Sequence, residues 1–77
     1  PAPIAGMRRR KVESEAMRSV GYDPRARVLE IEFAGGAVYR YFDVPERLYA
    51  GLMTAESHGA WFSAHIRDAG FRFERLR

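Results

Sequence analysis

The sequence predicts an α+β domain: a three-stranded antiparallel β-meander with two C-terminal helices packed on one face, and room for short edge strands at both termini. Three features lead there. Period-two alternation runs through Leu29, Ile31 and Phe33 against Glu30 and Glu32, and again through Tyr39-Arg40-Tyr41. Turn signals, Asp23-Pro24 and Gly35-Gly36, separate the alternating segments. After Val44-Pro45 the apolar spacing lengthens to the helical period.

The strands are expected over Met17–Tyr22, Val28–Phe33 and Ala37–Phe42. A two-residue Gly-Gly loop in the second hairpin would set Ile31 opposite Arg40. A three-residue loop with Gly36 left-handed sets Ile31 opposite Tyr39, Leu29 opposite Tyr41 and Glu30 opposite Arg40. The second register pairs apolar with apolar and acid with base, so it is preferred. Asp-Pro opens a type I turn, because proline presets its dihedral and the aspartate bonds onward to the backbone. If Asp23 faces Val28, then Tyr22 faces Leu29 and Val20 faces Ile31. Both turns thus place Val20, Tyr22, Leu29, Ile31, Phe33, Tyr39 and Tyr41 on one face.

Helices are expected over Pro45–Thr54 and Gly59–Asp68. Proline suits a first helical position, and Glu46 favours the positive end of the helix dipole. Leu48, Tyr49, Leu52 and Met53 share a face, and Ser57 is placed to cap the second helix, which carries Trp61, Phe62, His65 and Ile66. The tail from Phe71 to Arg77 alternates and reads as an edge strand or an extended arm.

Composition bounds the function. Seventy-seven residues, 47% of them hydrophobic and 30% charged, suit one small folded domain. There is no cysteine, which excludes disulfides, thiolate nucleophiles and cysteine-bound zinc. No cofactor, metal ligand set or phosphate loop is recognisable, and a chain this short is expected to lack a deep pocket. No apolar run is long enough for a membrane helix, so the expectation is a cytoplasmic protein that does not engage membranes or a small-molecule substrate. Ser63, His65 and Asp68 do not make a triad, because residues two apart on a helix point away from each other. No catalytic residue is assigned, and the chain reads as a non-enzyme.

The net charge of +3 is unevenly placed. Arg8, Arg9, Arg10 and Lys11 are four of the 13 bases and no acid precedes Glu13, so residues 12–77 carry nine bases against ten acids. Residues 1–10 therefore read as a flexible basic leader and residues 11–77 as the domain. The arm is either a solvated, solubilising segment or a phosphate contact that Arg18, Arg67 and Arg72 extend. Tyr39-Arg40-Tyr41 invites a base-stacking reading, but the preferred register turns both rings under the helices as core. The opposite face holds Glu30, Glu32 and Arg40 with Val28, Val38 and Phe42. Those three apolar residues, with a rim Trp61, are the candidates for a protein partner or a homodimer contact unless the tail covers them.

Taken in order, Val12-x-Ser14, Val20-Gly21-Tyr22-Asp23, Leu29-x-Ile31-x-Phe33, Gly36, Tyr39-x-Tyr41, Val44-Pro45, Tyr49, Leu52, Ser57-x-Gly59, Phe62 and Ile66 resemble the KTSC family, the lysyl-tRNA synthetase C-terminal-type domain. The resemblance spans roughly residues 11–73. It makes Tyr22, Leu29, Ile31, Phe33, Tyr39, Tyr41, Phe62 and Ile66 the structural core of the motif. It implies a small module, found alone or at the tail of certain lysyl-tRNA synthetases, and that context implies RNA as the partner. One departure is Glu13-Ser14-Glu15, where relatives tend to be neutral; these acids make the end of the arm less attractive to phosphate.

Overall fold

The computed structural model describes residues 7–77. Five strands form one antiparallel sheet in simple sequential order: β1 (Arg10–Lys11), β2 (Met17–Asp23), β3 (Val28–Phe33), β4 (Val38–Tyr41) and β5 (Phe73–Arg75). Two helices, α1 (Glu46–Thr54) and α2 (His58–His65), lie between β4 and β5 in the chain, followed by a 3₁₀ turn at Arg67–Ala69. The expected meander is the centre of this sheet, and the short terminal strands extend it at both edges.

Both hairpin registers are those argued from the side-chain pattern. Leu29 faces Tyr41, Glu30 faces Arg40 and Ile31 faces Tyr39. Gly36 takes a left-handed φ of 99°, as the three-residue loop requires. On the other side Asp23 faces Val28, Tyr22 faces Leu29 and Val20 faces Ile31. The Asp23 carboxylate accepts from the Arg25 and Ala26 amides at 2.9 and 3.2 Å, which closes the Asp-Pro turn.

One element departs from simple alternation. The register shifts between Met17 and Ser19, so Met17 faces Phe33 while Ser19 faces Glu32. A strict two-residue period would put Met17 on the face of Ser19, away from Val20. The bulge turns it over, and Met17 joins the core fully buried.

That core lies between the sheet and the helices. Val20, Leu29, Ile31 and Tyr41 meet Val44, Leu48, Leu52, Phe62 and Ile66. Ser57 caps α2 by accepting from the Ala60 amide at 3.2 Å, as expected. Pro45 sits one residue before α1, as its extended N-cap rather than its first helical residue. Helix α2 stops at His65, short of Asp68: Ile66 is its C-cap, the chain tightens into the 3₁₀ turn, and Gly70, left-handed, then turns it toward β5. His58 donates from Nδ1 to the Leu52 carbonyl at 2.7 Å, which satisfies one of the open carbonyls at the end of α1.

The Trp61 ring lies against Gly51 on α1: a Cβ there would come within 2.2 Å of Cζ2. Replacing Gly51 with alanine favours the helix by ~1 kcal/mol but forces the indole out of its seat. The expected result is a red-shifted emission from this lone tryptophan; unchanged emission would contradict the packing.

Candidate nucleic-acid interface

The sheet face away from the helices is covered by charge, not by apolar surface. Glu30 lies between two arginines: Arg9 donates to one carboxylate oxygen at 3.1 Å and Arg40 to the other at 2.9 Å. Gly21 makes this row possible. It stands between Arg9 and Glu30 in the strand order, and a Cβ at that position would meet the Arg9 Cγ at 3.0 Å. A second row runs parallel to the first. Ser19 donates to Glu32 at 2.9 Å, and Arg77 donates to the other Glu32 oxygen at 3.1 Å.

This arrangement revises the leader. Residues 1–6 lie outside the described residues. Arg10 and Lys11 form β1, pairing with Val20 and Ser19, and Arg9 is held at Glu30. Arg10, placed in the leader by the charge pattern, is thus part of an edge strand.

It also revises the apolar candidates for a partner. Val28 and Val38 are buried within the chain, 5% and 3% exposed, so neither offers a contact surface. The tail runs beside Val38, with the Leu76 amide donating to its carbonyl at 2.7 Å. Arg72 lies over the Phe42 ring, 4.7 Å from its centroid. Trp61 is half-buried against Gly51 and His65. Cover from within the chain, through the tail, is what remains of that face.

The basic candidates separate into groups. Arg8, Lys11 and Arg18 line one groove of about 700 Å³ at the β1–β2 edge, together with Arg9, Val12, Ser14, Met17, Ser19 and Glu32. All three side chains are exposed, and the Met17–Ser19 bulge is what brings Arg18 to this edge. Glu32 is the one acid lining the groove, and it is engaged by Ser19 and Arg77. Glu13 and Glu15 line a different depression, beside Glu56 and the start of α2. Arg10 is exposed on β1 in register with Val20, so it points to the other face. Arg67 and Arg72 belong to the far end of the sheet, near β5, and do not extend this patch.

That far end holds what the sequence did not reveal. Phe33, Tyr39, Tyr41 and Phe62 meet Phe71 and Phe73 around an open groove of about 560 Å³, with Gly70 and Arg67 completing its wall. The groove is open to solvent, not the deep pocket that a chain this short is expected to lack, and it is formed because β5 adds its own aromatic residue beside Tyr41. The core reading of the tyrosines holds in part. Tyr41 is buried, while Tyr39 is half-buried and both rings line the groove. Burial pushes the Tyr41 hydroxyl up to about 12, with Tyr39 adding to the shift and Arg67 opposing it, so it stays a neutral donor.

Among the described residues no cluster of three or more His, Cys, Asp or Glu is placed to hold a metal ion. His65 lies against the Trp61 ring at 4.2 Å, and Asp68 pairs with Arg67 at 3.3 Å, so each is engaged elsewhere than with Ser63. Among the described residues no helix is long and apolar enough to cross a membrane.

The meander, its two helices and the short edge strands define a small α+β domain. The KTSC domain model matches residues 13–71, and the chain belongs to the KTSC domain family. A protein of Stutzerimonas stutzeri strain A1501 is 39% identical over 70 residues, which cover 91% of this chain and 99% of that one. The lysine–tRNA ligase of Nostoc punctiforme is 36% identical over 66 residues; these are 86% of this chain but only 12% of the ligase. The crystal structure of a KTSC domain protein from Yersinia pestis superposes with a TM-score of 0.88 at 38% identity, covering 94% of this chain and all of the other.

Proposed function

We propose that this chain is a non-catalytic RNA-binding module whose β1–β2 edge, through Arg8, Lys11 and Arg18, contacts the phosphate backbone. The observation that carries the reading is the gathering of three exposed cations round one groove whose single acid is already engaged. Two of the three are arginines, whose planar fork suits phosphate oxygens. The kinship with a segment of lysine–tRNA ligases supports RNA as the class of partner. A protein-interaction reading loses its main surface, because Val28 and Val38 are buried.

Charge reversal tests the edge. Truncating residues 1–11 would remove β1 with the arm, so substitution is the cleaner perturbation. Lys11→Glu with Arg18→Glu is expected to weaken binding to a mixed tRNA pool by at least tenfold in fluorescence anisotropy at low salt. Arg25→Glu, exposed in the β2–β3 turn, is expected to change it less than twofold. Equal loss in both variants would mean bulk charge and not this edge.

A further inference from the structure

The groove at the β4–β5 edge plays no part in phosphate contact at the β1–β2 edge. Its edge strand, β5, lies four strand spacings from β1, or roughly 19 Å at ~4.8 Å each. Phe73 is 59% exposed and is the one large hydrophobic residue among the described residues left so open. It stands on a three-residue edge strand, where its ring reaches Tyr39 and Tyr41 at centroid distances of 5.8 and 5.9 Å. With Tyr39, Tyr41 and Phe71 it forms one contiguous aromatic surface, and contiguous exposed apolar surface is what marks an interaction site.

We infer that this groove takes an unstacked base of single-stranded RNA, stacked on Phe73 and Tyr39, with its phosphate held by Arg67 and Arg75. The inference rests on the RNA-binding reading above and deepens it: the basic edge supplies attraction, and the groove supplies a preference for unpaired bases. Three observations select this occupant. The side chains lining the groove are aromatic except Arg67, so it offers π-faces rather than the aliphatic ridges that seat a partner helix. The charged side chains that line the groove or lie over its rings are cationic. Arg67 is in the wall, and Arg75 lies 6.0 Å from the Tyr39 ring centroid. Arg67 pairs with Asp68 at 3.3 Å, but both are well exposed, and such a pair exchanges readily for a phosphate. No acid lines the groove, so an aromatic ligand that carries negative charge is complementary to it in both respects. The Tyr39 and Tyr41 hydroxyls add donors and acceptors for a base edge, as Tyr does where an apolar body meets a wet rim.

Binding of labelled ten-nucleotide single-stranded RNA is compared with that of a duplex of the same length, using the full chain and its Phe73→Ala and Arg67→Ala variants. Both residues are exposed, so both variants are expected to fold, with circular dichroism as the check. The wild-type protein is expected to prefer the single strand. Phe73→Ala is expected to lose tenfold or more of single-strand affinity, with duplex binding changed less than twofold. Arg67→Ala is expected to lose about threefold for the single strand. If Phe73→Ala leaves single-strand binding unchanged while the wild type still binds duplex, the groove inference falls and the basic edge stands. If the wild type binds neither RNA, the basic-edge reading fails and this one with it. If Phe73→Ala instead turns a self-associated protein into a monomer by sedimentation, the groove is occupied by a second copy and the base reading is overturned.

Discussion

Phe62→Ala is expected to destabilise the domain by about 3–5 kcal/mol, the usual cost of emptying a buried phenylalanine site. Phe62 is 6% exposed and is the buried residue of α2 itself. Its ring meets Phe33 edge-on at 5.3 Å and Tyr41 at 5.5 Å, so it joins the second helix to two strands at once. Aromatic pairs of this geometry add roughly 0.5–1.5 kcal/mol beyond area burial. A 77-residue domain has a total stability of roughly 4–11 kcal/mol. The variant is therefore expected to unfold in mild urea or to be largely unfolded without it. Phe62→Leu keeps most of the apolar volume and should cost about 1–2 kcal/mol. Urea melts of the three proteins decide the matter, and a Phe62→Ala loss below about 1 kcal/mol would show that α2 is not anchored through this ring.

The second large effect lies on the opposite face. Glu30→Ala is expected to cost about 3 kcal/mol, in the range seen when one member of a buried ion pair is deleted. The Arg40 and Glu30 side chains are only 8% and 13% exposed, and Arg9 shares the same carboxylate. Removing it leaves two closely spaced guanidinium groups with one carboxylate fewer between them. Glu30→Gln, which keeps the shape and one acceptor, should cost less, about 1–2 kcal/mol. The comparison pair is Glu32 with Arg77, whose side chain is 65% exposed; Arg77→Ala should cost under about 1 kcal/mol. Equal losses at Glu30 and Arg77 would mean that burial contributes nothing to the first row.

Much of the fold was legible because two turns fixed two registers independently. Asp23-Pro24 and the left-handed Gly36 each set a strand pairing, and both placed the same tyrosines and aliphatic residues on one side. Ser57 was readable as a cap because its chemistry is local. What was not legible depended on contacts distant in sequence or on breaks in a period. Met17 could not be assigned to the core, because only the bulge after it turns its side chain over. Arg9 read as part of a free arm, because its partner Glu30 is 21 residues away and is reached only across a glycine. The aromatic groove was hidden for the same reason. Phe71 and Phe73 sat in a short alternating tail whose pattern names a strand but not its neighbour, and only pairing with β4 brings Phe73 beside Tyr41. The division of the arginines follows from the topology: residues close in charge pattern lie on opposite edges of a five-stranded sheet.

The central claim is that the β1–β2 edge reads RNA phosphates, and the measurement closest to it is the salt dependence of binding. Affinity for a tRNA pool is followed by anisotropy from ~50 to ~200 mM monovalent salt, where backbone contacts dominate the variation. Three phosphate contacts, one each for Arg8, Lys11 and Arg18, predict a slope of log K against log salt of roughly −2 to −3. The Lys11→Glu, Arg18→Glu variant should lower its magnitude by about 1.5 to 2. A flat salt profile in the wild type, or an equal slope in the two proteins, would contradict the claim.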